Sequence, residues 1–360
     1  MTKRDARTII IAAGGTGGHI LPGIRIGDEI DRGYAGIYRA QYVCGSRDIE
    51  SKIYSSENIT PLKLRAGSRK GAAAFACLLG DSFRVLKSFI RNRPAAVLAM
   101  GGAACVPVLL VAVVLRIPMF LHESNRRAGR VVRLFAPFAR KVFLGLGGLD
   151  RKNSSIVGTP TRPVEAVEQR NLILCMGGSQ GASKLNEIFV AVANRDHIRA
   201  LGYQFVLLSG PGKHIPNRGV VEVREYEPRI ETLLARAELA ITRAGAGALA
   251  DIANCRVPAV LVPYPFAKDD HQKANADLFY DADAAFVLEE KALTKESLDT
   301  LISHIMTDAP LRERMRANLA SFDSSNAARV IANELTECLE HKREAHGRLR
   351  INPGVTHEPR

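Results

Sequence analysis

An apolar segment, a glycine-rich turn and a helix-forming stretch follow one another twice in this chain. Residues 8–13 run into Gly14-Gly-Thr-Gly-Gly-His19, and residues 172–176 run into Gly177-Gly-Ser-Gln-Gly181. A short, uninterrupted apolar run suits a strand buried on both faces. A strand leading directly into a helix returns to its sheet as a parallel neighbour. The repetition therefore predicts an α/β chain with parallel sheets in two lobes. At 360 residues and 46% hydrophobic, the chain is long for one core and sufficient for two.

Further strands are expected at 42–45, 96–100, 119–122, 141–144 and 155–157. Helices are expected at 21–32, 76–91, 106–115 and 128–136. The second series adds a helix at 182–194 and strands at 205–209, 220–223, 239–242, 260–262 and 285–288. Val157-Gly-Thr-Pro-Thr-Arg-Pro163, with two prolines and a glycine, reads as the hinge. These features divide the chain into a first lobe of 1–158 and a second of 159–325. A helix at 326–341 has Val330, Ile331, Leu335 and Leu339 on one face and is expected to cross back onto the first lobe. Residues 342–360 are polar and patternless, and disorder is expected there.

Charge is distributed unevenly. Residues 1–158 carry 25 Lys/Arg against 10 Asp/Glu, or +15, while residues 159–360 carry 25 against 27, or −2. The excess concentrates at 61–93, with eight basic residues and one acid, and at 116–141, with seven and one. Such a face attracts nucleic acid, anionic lipid or a phosphorylated substrate, or is simply solvated. No nucleic-acid module is recognisable and aromatics are 6%, so nucleic acid is not expected as a partner. The longest apolar run, 103–115, is interrupted by Pro107 and is shorter than the roughly 20 residues of a membrane span. No targeting segment is read, and a cytoplasmic protein is expected. The six cysteines are scattered without a Cys-x-x-Cys pair, which predicts neither a disulfide framework nor a zinc site. His122-Glu123 begins like a zinc-binding helix, but Arg126 stands where the second ligand would be.

The glycine turns suit phosphate, because glycine lets the backbone approach and the helix that follows offers free N–H groups. Each is alternatively a tight strand-to-helix turn without a ligand. Dinucleotide and ATP binding are disfavoured: the third fingerprint glycine, the acid after the second strand and a Gly-Lys-Ser/Thr sequence are all missing. Arg243-Ala-Gly-Ala-Gly247 follows another strand, with Asp251 one turn into the next helix. Asp251 is either the acceptor of a ribose diol or an ordinary acid near a helix start. Gln272 could serve sugar hydroxyls or lie on the surface. Asp281-Ala-Asp283 sits away from every glycine turn, so neither metal nor cofactor is expected. Helix N–H groups, the Ser179 hydroxyl and Arg162 could then neutralise a departing diphosphate.

Together these motifs resemble the MurG family of N-acetylglucosaminyltransferases. The resemblance runs from about residue 8 to about residue 340. It rests on Gly14-Gly-Thr-Gly-Gly-His19, Met100-Gly-Gly with Pro107, His122-Glu-Ser-Asn125 with Ala128-Gly129, and Val157-Gly-Thr-Pro-x-Arg162. Gly177-Gly-Ser-Gln-Gly-Ala182, Arg243-Ala-Gly-Ala and His271-Gln-x-x-Asn275-Ala276 complete it. It implies the GT-B fold, two Rossmann-like lobes facing a cleft. It also implies UDP-N-acetylglucosamine (UDP-GlcNAc) as donor and undecaprenyl-pyrophosphoryl-MurNAc-pentapeptide (lipid I) as acceptor, at the inner face of the cytoplasmic membrane. Carried over, Arg162, Ser179, Asp251 and Gln272 would bind the UDP-sugar, with Thr16, Gly17 and Gly18 nearby. Asn125 would contact sugar on the acceptor side, His19 is the candidate base, and His122 and Glu123 would flank the cleft, Glu123 as a second catalytic candidate.

The chain departs from that family at Ala103 and Cys105, where Tyr and Ser are usual, and at Ser124 for Gln, Asp251 for Glu and His271 for Gln. The basic half, with Phe75, Leu78, Leu79 and Phe83 beside Arg84 and Lys87, would face an anionic leaflet, unless those apolar residues are core. The alternative reading of His19, from its place in the turn, is that it orders the loop backbone. A UDP-GlcNAc 2-epimerase of the same fold is the alternative activity.

Overall fold

The computed structural model describes residues 6–66, 71–165, 169–178, 182–210, 212–213, 215 and 218–348. The first lobe holds strands β1 (Arg7–Ala12), β2 (Tyr38–Cys44), β3 (Leu62–Lys63), β4 (Ala96–Ala99), β5 (Met119–Glu123), β6 (Lys141–Leu144) and β7 (Ser154–Ile156). Its helices are α1 (Gly17–Gly33), α2 (Asp48–Ser56), α3 (Gly71–Arg91), α4 (Cys105–Val114) and α5 (Arg130–Phe135). The second lobe holds β8 (Leu172–Met176), β9 (Gln204–Leu208), β10 (Val221–Arg224), β11 (Ala237–Thr242), β12 (Ala259–Leu261) and β13 (Ala285–Val287). With them are α6 (Ser183–Ala193), α7 (Asp196–Arg199), α8 (Ile230–Arg236), α9 (Ala246–Cys255), α10 (His271–Asp281), α11 (Lys295–Thr307), α12 (Ala309–Leu319) and α13 (Ala327–Arg348).

Every strand pairing is parallel. The first sheet is ordered β3-β2-β1-β4-β5-β6-β7 and the second β10-β9-β8-β11-β12-β13. Strand order reverses between β1 and β4 in one sheet and between β8 and β11 in the other, and such switch points are where open α/β sheets bind ligands. The central strands are buried throughout: β4, β5, β8, β11 and β12 have no exposed position. That burial is why their sequences read as apolar runs rather than as alternations. The shorter outer strands β3 and β7 are partly or wholly exposed, and two-residue β3 is absent from the sequence reading.

Helix α13 lays Ile331, Ala332, Leu335 and Leu339 into the first lobe's core beside Ile9, Ile24, Ile30 and Phe120. Tyr34 donates to Asn333 Oδ1 at 3.0 Å and Arg140 to the Cys338 carbonyl at 3.2 Å, while Lys141 pairs with Glu334. The helix continues to Arg348, past the end expected from the sequence. Residues 349–360 of the segment expected to be disordered lie outside the described residues. The chain passes between lobes twice, at 158–163 and at 323–326. Asn254 at the end of α9 holds both crossings, donating to Thr161 Oγ1 at 2.7 Å and accepting from Ser324 N at 2.8 Å.

Candidate functional site

Two loops meet at the first switch point, Gly14–Gly18 after β1 and Gly101–Gly102 after β4. They pack backbone against backbone. A Cβ on Gly102, at φ +86°, would lie 2.5 Å from the Gly14 carbonyl oxygen, so no side chain fits there. Thr16 takes the N-cap position of α1 without a side-chain cap, leaving the helix's first N–H groups facing the cleft. His19, half-buried in the first turn, places Nδ1 3.0 Å from the Gly14 carbonyl oxygen. A carbonyl only accepts, so Nδ1 carries the proton and Nε2 of the neutral ring keeps its lone pair. Nε2 lies over the second loop, where a Cβ on Gly101 would come within 3.2 Å of it.

The second switch point presents Gly177–Gly178 after β8 and 243–247 after β11. Arg243 is buried, donates to the Val262 carbonyl at 3.1 Å and pairs with Glu290, so its guanidinium braces the loops. Asp251 lies in the second turn of α9. Burial lifts its carboxyl to about 7, with the charge of Glu231 adding to the rise and Arg162 opposing it. Gln272 starts α10 and accepts from Tyr264 N at 3.0 Å, which orders the 263–272 loop and leaves its amide N–H₂ available.

Arg162 lies where the lobes meet. It donates to the Pro228 carbonyl at 2.6 Å, sits 3.9 Å from Glu231 and pairs with Glu57 of the first lobe. Glu57 in turn pairs with Arg25 of α1 at 2.5 Å. Asn275, fully buried in α10, makes a second bridge. It donates to Asn125 Oδ1 at 3.1 Å and to the Ala244 carbonyl at 3.0 Å, and accepts from Arg126 N at 2.8 Å. The N-termini of α1 and α9 approach across the cleft, so that a Cβ on Gly247 would lie 4.0 Å from Gly18 Cα.

The structure thus brings Thr16, Gly17, Gly18, His19, Arg162 and Asp251 to the place where α1 and α9 approach, while Gln272 lies on α10, whose Asn275 bridges to Asn125. Ser179 lies outside the described residues. Two expectations change. His122 does not flank the cleft: it is fully buried, its Nε2 faces the Gly158 carbonyl at 3.2 Å, and burial lowers its pKa to about 4. Glu123 is already committed to its own loop. It accepts from Asn125 N at 3.0 Å, Asn125 Nδ2 at 3.1 Å and Gly129 N at 2.7 Å, so taking a substrate proton would weaken the hold on residues 125–129. Asn125 is consequently held by Glu123 on one side and Asn275 on the other. Glu50 and Glu231 lie on short helices and Glu57 caps the end of α2, and none of the three carries a sequence signal of its role. Asn275 belongs to the His271-Gln-x-x-Asn275-Ala276 motif, whose pattern does not reveal its bridge to Asn125.

On the outer side of the first lobe, Phe75, Leu79 and Phe83 of α3 are 63%, 56% and 69% exposed, while Leu78 is half-buried. Ile90, Leu110 and Val114 of α3 and α4, and Leu134 and Phe138 beside them, are also exposed. The core reading of the α3 residues is therefore set aside for all but Leu78.

The chain matches the Glycosyltransferase family 28 N-terminal domain over residues 9–144 and the family 28 C-terminal domain over residues 172–335. Relatives named UDP-N-acetylglucosamine--N-acetylmuramyl-(pentapeptide) pyrophosphoryl-undecaprenol N-acetylglucosamine transferase share this span. The one from Trichormus variabilis is 30% identical, over 91% of this chain and 98% of the relative. That from Acidithiobacillus ferrooxidans is 31% identical, over 92% and 98%. Among solved structures, Acinetobacter baumannii MurG aligns with a TM-score of 0.75 at 25% identity, covering 92% of this chain and 99% of that one. A UDP-GlcNAc 2-epimerase from Neisseria meningitidis aligns at 0.66 with 10% identity, covering 92% and 100%, a likeness of fold.

Proposed function

The chain belongs to glycosyltransferase family 28, and from that membership we propose that it transfers GlcNAc from UDP-GlcNAc to the 4-hydroxyl of MurNAc in lipid I. The product is lipid II, the disaccharide precursor of peptidoglycan. The fold is of the GT-B type and the protein is an N-acetylglucosaminyltransferase of the MurG kind. The observation that carries the reading is the approach of α1 and α9 at Gly18 and Gly247, with Arg162 and Asp251 beside it. Helix N-termini and a guanidinium suit a diphosphate, and the half-buried carboxyl suits a ribose diol.

In the proposed reaction the acceptor hydroxyl oxygen bonds to the anomeric carbon as the bond from that carbon to the UDP oxygen breaks, inverting α to β. The hydroxyl proton passes to His19 Nε2, and the electron pair leaves on the β-phosphate. Charge on that phosphate is met by Arg162 and the helix N–H groups, which are fixed before the reaction. Alignment of the two substrates across the cleft can contribute roughly 7–11 kcal/mol. Arg162 must exchange part of its contact with Glu57 for the nucleotide, so donor binding and lobe contact are linked.

The exposed apolar residues of α3 and α4 and the first lobe's excess positive charge support peripheral docking on an anionic leaflet. Among the described residues no helix is long and apolar enough to cross a membrane. Incubation with labelled UDP-GlcNAc and a short-chain lipid I analogue tests the activity. Disaccharide lipid and UDP should appear in equal amounts. Epimerised sugar nucleotide formed without acceptor would contradict the proposal.

A further inference from the structure

The first glycine turn is held by a buried carboxylate that the proposed mechanism does not use. Glu50 of α2 is 2% exposed, and its Oε1 accepts from Gly15 N at 2.6 Å. Oε2 is buried and has no hydrogen-bond partner, and no ion pair of Glu50 is found among the described residues. The fit is tight, since a Cβ on Gly45 would lie 2.6 Å from Oε2. Gly15 N–H and the Gly14 carbonyl belong to one peptide group, and that carbonyl accepts from His19 Nδ1 at 3.0 Å. Carboxylate, peptide and imidazole therefore form one chain of hydrogen bonds, Glu50 Oε1 to Gly15 N–H, then Gly14 C=O to His19 Nδ1–H.

We propose that Glu50 is a positioning residue that acts on His19 through the Gly14–Gly15 peptide, fixing the Nδ1–H tautomer and strengthening Nε2 as a base. A negative charge at the N–H end of a peptide polarises it and makes its carbonyl a better acceptor, and linked hydrogen bonds in a low-dielectric site reinforce one another. A better acceptor at Gly14 stabilises the imidazolium formed when Nε2 takes a proton. The arrangement does for His19 what a directly bonded carboxylate does for the histidine of a catalytic triad, with one peptide between them. The left-handed backbone at Gly15, φ +100°, turns this peptide so that its two ends point at the two side chains.

Arg47 is the charged neighbour of the pair, and the buried groups around it are neutral. His122, from β5, is kept neutral by burial. Burial pushes the thiols of Cys44, from β2, and Cys105, from α4, up to about 12 and raises the Tyr54 phenol of α2 further. Arg47 lines the same small cleft as Glu50, with Gly15, Ser46 and Ala103.

This inference rests on His19 as the base, and its test separates the two. E50Q keeps an oxygen for Gly15 N–H and loses the charge. It should lower kcat about tenfold and move the acid limb of the kcat profile down by up to about one pH unit, because a less stabilised imidazolium has a lower pKa. KM for UDP-GlcNAc should stay within twofold. The H19A/E50Q double variant should be no slower than H19A, since both substitutions act through one ring. An unmoved acid limb, or a double variant slower by the product of the single effects, would overturn the relay. Nitrogen NMR of the wild-type protein, with the His19 signal assigned by its loss in H19A, reads the tautomer without disturbing Glu50. A proton on Nδ1 is expected, and one on Nε2 would overturn it. Near-normal turnover of H19A would sink the base assignment instead, while the tautomer still decides whether the peptide link operates.

Discussion

Helix α3 of the first lobe turns Phe75, Leu79 and Phe83 to solvent, with Arg84 and Lys87 interleaved. The outer helices of the second lobe do the reverse. On α12, Arg312 and Arg316 both pair with Glu238 at 2.7 Å, and Arg195 pairs with Asp299 and Glu296 of α11. No large apolar side chain of α6, α11 or α12 is exposed. Both lobes cover a parallel sheet with helices, so the inward faces obey one rule. The outward faces are free of it. On the proposed reading the first lobe meets an apolar, anionic surface and the second meets water and a nucleotide.

If that division is right, substitutions in the two lobes should fail in different ways. The largest effect is expected from H19A, which should lower kcat by about 10²–10⁴-fold while donor affinity, measured by calorimetry, is retained. Replacing Phe75, Leu79 and Phe83 together by Glu should lower binding to anionic vesicles by about a hundredfold, because apolar insertion and charge attraction are both lost. Turnover with a water-soluble acceptor should be unchanged. Three glutamates on the outer face of α12 should leave vesicle binding intact, and an equal loss there would erase the contrast. D251N should raise KM for UDP-GlcNAc by roughly tenfold, the range for a hydrogen bond to a charged group, and spare vesicle binding.

The smallest difference is in pH dependence, where the lobes carry opposite signs. An unfolded His122 takes its proton near 6.5 and the folded one only near 4. Its contribution to stability is therefore present above 6.5 and lost as pH falls towards 4. Asp251 ionises near 3.8 when unfolded and near 7 when folded. Its contribution is present below 3.8 and lost as pH rises through 7. In calorimetric melts H122N should flatten the acid side and D251N the slope between pH 4 and 7. A single shared slope unaffected by either substitution would break the comparison.

The sheets were legible because their central strands are buried on both faces, which forces runs such as Ala96–Ala99 and Leu172–Met176 to be apolar. Strand β3 left no trace, being two exposed residues whose pairing with β2 is a tertiary event. Helices α2, α7, α8, α11 and α12 have no counterpart in the sequence pattern either. On α12 only Met315 and Leu319 are buried. For the candidate site, glycine turns after apolar strands located the loops, because backbone approach leaves a compositional mark. Glu50 and Glu57 leave none, since an acid in or at the end of a short helix reads the same whether it faces water, a peptide N–H or a guanidinium from the other lobe. His122 shows the opposite error. Its neighbours in sequence placed it at a strand end, but its side chain turns inward, towards the Gly158 carbonyl.

The central claim is that one nucleotide diphosphate is held between lobes of such different character. A crystal soaked with UDP-GlcNAc tests it most directly. The diphosphate should lie between Arg162 and the Thr16–Gly18 turn, with the ribose hydroxyls on Asp251 and Arg162 drawn away from Glu57. Density for the nucleotide on the outer face of either lobe, with the Arg162 to Glu57 pair intact, would contradict it.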